Sequence, residues 1–342
     1  MFPSGLTAAA LAEKVAFLRS PAAYPHGPKQ VETRETHMSW VFLTGSLAYK
    51  LKKAARYPFL DFSTLDARQR HCATELRLNR RLAGDIYRRL IALRRNHDGQ
   101  LNLDGKGEIV DWLIEMEQLP AGDMLDTRIR EGRVGTDQAV AVAEKLGRFY
   151  AAARPQVRDG AAYLAHLVQE SAINRKLLTC GRFGLHTDQA EAVVERAEDL
   201  LRRWSPAISE RVRSGKIVEG HGDLRPEHVS LRNPVTIIDC LEFDRNMRLL
   251  DPYDEINYLG LECELLGAGW IRPLMLGVVE DILGGRPEPR LLCTYGAFRA
   301  VLRARICIAH LLDPQPSEPE RWPGEAHAYL TLAEEECIKA EG

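Results

Sequence analysis

The stretch Lys216–Asp239, KIVEGHGDLRPEHVSLRNPVTIID, decides how the rest of this chain is read. A β-rich run, Lys216 to Val218, enters the polar loop His221-Gly222-Asp223-Leu224-Arg225-Pro226-Glu227-His228. A second apolar run, Val235 to Ile238, then ends in Asp239. Short apolar runs bounded by turn residues read as strands, so the two aspartates fall at neighbouring loop and strand ends. Gly222 allows the backbone to turn sharply before Asp223, and Pro226 stiffens the loop through its fixed φ.

Two carboxylates placed this way suit phosphoryl transfer, in which the protein mainly positions groups and stabilises charge. One carboxylate orients the attacking hydroxyl, the role expected of Asp223. The other holds the metal that bridges the nucleotide phosphates, the role expected of Asp239. The same residues have other readings. A carboxylate at a strand end can simply cap a turn. His221, Asp223 and His228 could also ligate a hydrolytic metal, but the chain has no His-x-His or His-Glu-x-x-His spacing to complete such a site.

His-Gly-Asp followed by a strand ending in Ile-Asp resembles the catalytic and metal-binding segments of the aminoglycoside phosphotransferase-like branch of the protein-kinase-like fold. More narrowly, the chain resembles a bacterial subgroup of that branch whose domain is often joined to a P-loop ATPase domain; the likeness spans roughly Val31 to His310. It implies an α+β, two-lobed kinase-like fold, with a small antiparallel-sheet N-lobe and a mostly helical C-lobe. Residues 1–30 would form an N-terminal helix and linker, 31–119 the nucleotide-binding N-lobe, and 120–342 the C-lobe with catalytic loop and acceptor site. The implied activity is transfer of the γ-phosphoryl group of ATP or GTP, with Mg2+, to a hydroxyl of a small molecule, and a P-loop ATPase could accompany it as a separate chain. One departure stands out: the family carries Asn five residues after the catalytic Asp, and here that place holds His228. Magnesium prefers oxygen to imidazole nitrogen, which puts the second metal site in question and leaves His228 to bind phosphate, take a softer metal or only pack. Arg225 stands where Ser/Thr protein kinases have Lys, which puts a cation near the transferred group.

Composition bounds these readings. The 342 residues are 45% hydrophobic and 27% charged, with formal net charge −2, which fits two lobes and argues against a general nucleic-acid binder. Seven cysteines without Cys-x-x-Cys spacing fit a reducing, cytoplasmic setting better than a disulfide scaffold. No apolar run approaches the roughly 20 residues that span a bilayer, so no membrane partner is expected. Glu13 and Lys14 interrupt the apolar stretch near Leu6 to Leu18, which reads as an amphipathic helix.

Outward from the central stretch, Val31–Glu35, Trp40–Leu43 and Leu47–Leu51 read as antiparallel strands. Thr36 to Ser39 lies where a kinase has its nucleotide-covering loop, without the glycines, so phosphate contact there would rest on backbone N–H groups and hydroxyls, Ser39 among them. Lys50 and Lys52 share a strand face because side chains alternate with period two. The resemblance favours Lys50 for the phosphates and gives Glu75, on a helix over Leu65–Ala83, the task of holding it; Glu75 could instead face water beside Arg70 or Asn79. Ile86–Leu93 and Glu108–Met116 read as further strands around a hairpin at Asn96–Gly107. Met116 and Glu117 open the hinge, where backbone groups would meet an adenine edge.

From Met124 onward helices are expected at Thr136–Ala153, Tyr163–Leu178, Asp188–Trp204, Asp251–Leu266, Trp270–Leu283, Leu291–Leu312 and Ser317–Ala340. By the resemblance an Asp at the place of Asp254 supports the catalytic loop. Eight carboxylates against two arginines between Asp239 and Glu264 point to a cation-bearing acceptor. Arg299 and Arg303, one turn apart, could line an anionic pocket, although stem packing and surface charge are the commoner fate of such arginines. Two rivals remain: a protein Ser/Thr kinase, suggested by Arg225-Pro226-Glu227, and a nucleotide-binding pseudokinase, suggested by the missing Asn.

Overall fold

The strand Leu47–Lys52 (β3) shows how the first part of the chain is built. Tyr49 and Leu51 point to one face of a sheet, and Ala48, Lys50 and Lys52 to the other, as the two-residue period requires. The computed structural model describes residues 5–57, 60–157, 159–313, 316 and 318–342. The sheet comprises β1 (Glu32–Glu35), β2 (Ser39–Leu43), β3, β4 (Tyr87–Arg95), β5 (Leu101–Leu103) and β6 (Glu108–Glu117), in the spatial order β1-β2-β3-β6-β4-β5, with every pairing antiparallel. The loop expected at Asn96–Gly107 therefore contains a strand of its own, β5, paired with the end of β4.

Each face of the sheet has a helix. On the Tyr49 face, Val15 and Leu18 of α1 (Gly5–Leu18) pack with Phe42, Leu51, Leu93 and Leu113. On the Lys50 face, α2 (Leu65–Ala83) brings Cys72 and Ala83 against Ala48, Ile114 and Met116. Thr64 caps α2, its side chain accepting from Ala67 N, and Gly84 ends it at φ 56°, a conformation that favours glycine. Burying these apolar residues supplies the main stabilisation, at about 25 cal/mol per Å² removed from water.

The chain divides into two units, residues 1–124 with 228–246, and residues 125–227 with 247–342. The sheet unit thus contains a returning segment in which Val229–Ser230 pairs antiparallel with Thr236–Ile237, and Ile238 packs in the α2 cluster. The second unit is helical: α3 (Leu125–Arg130), α4 (Thr136–Ala151), α5 (Gly160–Leu178), α6 (Thr187–Arg213), α7 (Pro252–Leu265), α8 (Ile271–Leu283), α9 (Pro289–Ala309) and α10 (Arg321–Glu341). Its core joins α6, α9 and α10 through Val193, Ala197, Val301, Ala304, Leu330 and Ala333. The final helix begins at Arg321; Ser317, where it was expected to start, lies outside the described residues. Helix α6 runs past the expected end at Trp204 and through Pro206, because Ile208 and Val212 continue its buried stripe. Among the described residues no helix is long and apolar enough to cross a membrane.

Candidate functional site

In the sheet unit, the face of β3 turned toward α2 carries a charge cluster. Lys50 Nζ lies 2.8 Å from Glu75 Oε1 and 2.7 Å from Asp239 Oδ1. Lys52 Nζ lies 2.5 Å from Glu75 Oε2 and 2.5 Å from Glu242 Oε1. Glu75 is fully buried and bridges both lysines, so it does not face water; Asn79 instead donates to the Glu75 backbone carbonyl at 3.0 Å. Lys50 thus meets both Glu75 and Asp239, while Lys52 pairs inward with Glu242 and lies 4.8 Å from the centre of the Phe62 ring.

Burial opposes the Lys50 charge, but Asp239 and Glu75 outweigh it and hold the ammonium well above its ordinary range. Burial alone would raise the Glu75 carboxyl; the two flanking lysines hold it below the ordinary range. Glu242, beside Lys52 but repelled by Glu75, remains above it because burial dominates. One carboxylate shared by two lysines and another served by one explain the opposite directions.

Asp239 has a left-handed backbone, φ 62°, which costs a non-glycine residue roughly 1–2 kcal/mol. Hydrogen bonds brace this turn: Asp239 N donates to Tyr87 Oη at 3.3 Å, and Cys240 N donates to Asn79 Oδ1 at 2.9 Å. The bend leaves the Asp239 side chain 44% exposed, with Oδ2 3.7 Å from His228 Nε2. A magnesium ion takes one or two carboxylates and completes its shell with water and phosphate oxygens, so Asp239 fits it; the imidazole of His228 is a poorer donor for so hard a cation. Among the described residues no group of three or more His, Cys, Asp or Glu side chains converges to hold a metal by protein atoms alone.

Other expected nucleotide contacts have definite surroundings. Ser39 is buried, its N–H donates to Thr36 Oγ1 at 3.0 Å, and it pairs with Lys52 across the β2–β3 ladder. Met116 is buried near the end of β6, and Glu117 accepts from Arg232 at 2.5 Å.

The helical unit holds the loop around Asp223. Glu255, in the first turn of α7, accepts from His221 N at 2.9 Å and Gly222 N at 2.5 Å, and Tyr150 Oη donates to the same carboxylate. Gly222 turns at φ 92°, and Asp223 N donates to His221 Nδ1 at 3.3 Å. The loop support expected of Asp254 is therefore supplied by Glu255, while Asp254 takes three hydrogen bonds from Arg299, at 3.0, 3.1 and 2.6 Å. Arg225 Nη2 lies 2.6 Å from Glu227 Oε1, and its Nε lies 3.6 Å from Glu262 Oε2.

The structure brings Lys50, Glu75, Asp239 and His228 together in one unit, and Asp223, Arg225 and Glu227 together in the other. Sequence reasoning missed the roles of Glu242, Tyr87 and Tyr150, named Asn79 only as a possible neighbour of Glu75, and left Glu255 between a helix-dipole and a functional role. Their polar ends bond only after distant segments pack, and helical or strand periodicity gives no warning of this.

No protein-family model matches the sequence. It is 28% identical over 297 residues to uncharacterised proteins of Mycobacterium bovis and Mycobacterium tuberculosis, covering 81% of this chain and 54% of theirs. The chain thus spans about half the length of the curated relatives it matches. Among solved structures it is similar to a choline kinase from Cryptosporidium parvum (TM-score 0.56, 10% identity, 96% of this chain and 95% of that one). It is similar also to an ethanolamine kinase from Plasmodium vivax (0.54, 8%, 89% and 81%) and to choline kinase LicA from Streptococcus pneumoniae (0.53, 13%, 96% and 99%); a LicA is also known in complex with AMP. At such identities the likeness establishes the fold, which is the two-lobed protein-kinase-like fold expected from the sequence, with an antiparallel-sheet lobe and a mostly helical remainder.

Proposed function

We propose that the chain is a phosphotransferase that moves the γ-phosphoryl group of ATP or GTP to a hydroxyl of a small molecule. The observation that carries this reading is the Lys50–Glu75–Asp239 cluster, a buried carboxylate steadying a lysine whose ammonium also meets a half-exposed aspartate. Fold likeness to small-molecule kinases, one of them known with AMP, supports it.

In this reading Lys50 binds the nucleotide phosphates and Glu75 fixes its ammonium. Asp239 would hold magnesium, which when bound neutralises phosphate charge. Asp223 orients the acceptor hydroxyl and takes its proton as the acceptor oxygen bonds to the γ-phosphorus. The bond from that phosphorus to the β–γ bridging oxygen breaks, and the nucleoside diphosphate leaves with the electron pair. Glu255 keeps Asp223 in place by holding the amides before it. A second reading, a nucleotide-binding protein without transfer, is favoured by His228, whose imidazole stands beside the Asp239 carboxylate.

The test is transfer of γ-labelled phosphate across a panel of hydroxyl acceptors, with nucleotide binding measured separately by thermal shift. Asp223→Asn should lower turnover by about 10²- to 10⁴-fold with nucleotide affinity unchanged. Lys50→Met should weaken nucleotide binding. Lys52→Met should instead cost about 3 kcal/mol of stability by leaving Glu242 without its cation. Near-normal turnover by the Asp223→Asn protein would remove that residue from its role. Nucleotide binding without transfer to any acceptor would favour the second reading.

A further inference from the structure

The carboxylate-rich run from Asp239 to Glu264 suggested a cationic acceptor, but the structure gives most of those acids partners. Asp239 and Glu242 meet Lys50 and Lys52; Asp251, Asp254 and Glu264 meet Arg211, Arg299 and Arg272; and Glu255 holds the loop amides. Little free negative charge remains in that run to attract a cation.

Near Asp223 the imbalance is one of hydrogen-bond donors without acceptors. Helix α7 places Tyr258 and Glu262 one turn apart, and α9 places Arg303 one turn beyond Arg299. Arg299 is spent on Asp254. Arg303 is nine-tenths buried, yet its nearest carboxylate contact is loose, with Nε 3.8 Å from Glu262 Oε1. The Nε atoms of Arg225 and Arg303 and the buried hydroxyl of Tyr258 have no hydrogen-bond partner. Glu262 does not satisfy them: its Oε2 accepts from Tyr329 Oη at 2.9 Å, while the Nε atoms of Arg225 and Arg303 stand off at 3.6 and 3.8 Å. Arg225 also meets Glu227 through Nη2, but the two Nε atoms and the Tyr258 hydroxyl stay unpaired beside Glu262, and buried donors left unpaired are costly. Burial also pushes the Glu262 carboxyl above its ordinary range, which weakens its hold on the arginines. The Asp223 charge is felt at Arg225, Tyr258 and Arg303, so the cluster adjoins the expected base.

Resting on the phosphotransferase reading, we infer that the acceptor carries an anionic group, a carboxylate or a phosphate ester, which takes the free donors of Arg225, Arg303 and Tyr258 while its hydroxyl reaches Asp223. Arginine suits this because its planar fork matches both groups.

The test begins without nucleotide or added metal. Inorganic phosphate and acetate are titrated in parallel into the purified chain at constant ionic strength, read by calorimetry and thermal shift. At least one anion should bind saturably, and the stronger one identifies the group. Arg303→Gln should weaken that binding tenfold or more, Arg303→Lys should restore part of it, and Lys50→Met should leave it intact. Tyr258→Phe provides a milder variant should Arg303→Gln fail to fold. Binding lost in Lys50→Met and unchanged in the Arg303 and Tyr258 variants would overturn the inference, as would no saturable binding of either anion. In the transfer assay, hydroxy acids and sugar phosphates should accept label in preference to choline, ethanolamine and neutral polyols. Label on an amino alcohol would overturn the anionic acceptor and leave the phosphotransferase standing. Anion binding that depends on Arg303, with no transfer to any acceptor, would support the anion site and count against the phosphotransferase.

Discussion

Glu75 shows what one buried carboxylate does in this protein. Between Lys50 and Lys52 it makes two ion pairs with almost no exposure, so its loss would leave two lysines relying on Asp239 and Glu242 alone. Its folded-state pKa is depressed relative to the ordinary 4.5, the lysines outweighing burial. A depressed carboxylate contributes stability that is present above the unfolded value and is lost as pH falls through the folded one. We therefore expect the urea midpoint of the wild type to fall more steeply below about pH 4.5 than that of Glu75→Gln. Parallel curves for the two proteins through the acid range would refute this. The pairing itself was only half legible in sequence. Period two placed Lys50 and Lys52 on one face, but only the packing of α2 on that face showed that a single carboxylate serves both.

At the scale of elements, sequence signals worked where local physics dominates. Helix α2 begins and ends at the expected Leu65 and Ala83, since a Thr cap and a following Gly are local features. Helix α3 escaped notice because six residues carry too little periodicity. The start of α7 combines local and distant effects. Asp251 caps it by accepting from Tyr253 N at 3.0 Å and also takes Arg211 from α6 at 2.5 and 2.9 Å. The cap alone is worth about 1 kcal/mol, whereas breaking a buried ion pair costs about 3–5 kcal/mol, so the pair dominates. Asp251→Ala should lose about 3–5 kcal/mol in urea unfolding, and adding Arg211→Ala should cost far less than a second independent loss. Strictly additive losses would show that the ion pair is not what matters there.

Across the whole molecule, the distribution of cysteines offers a check on both units. Cys180 is exposed, whereas Cys72, Cys240, Cys263, Cys307 and Cys337 are buried, and burial pushes the Cys72 thiol up to about 12. Because the thiolate is the reacting form, iodoacetamide at pH 8 should label Cys180 first and reach the buried five only on unfolding, as read by mass spectrometry. Labelling of Cys72 or Cys240 as fast as Cys180 would mean that the sheet unit opens in the native state. The identities of the strands and most helices were legible along the chain, because alternation, caps and turn residues act over a few positions; the Lys50, Glu75, Asp223 and Asp239 candidates came from the central motif together with the family resemblance. Tertiary structure decided that residues 228–246 return to the sheet unit, that Glu255 and not Asp254 holds the loop, and that the acids after Asp239 are nearly all paired. The physical reason is one of range: backbone preference is settled by neighbours in sequence, but the partner of a buried charge is whichever opposite group the packed fold brings within about 4 Å.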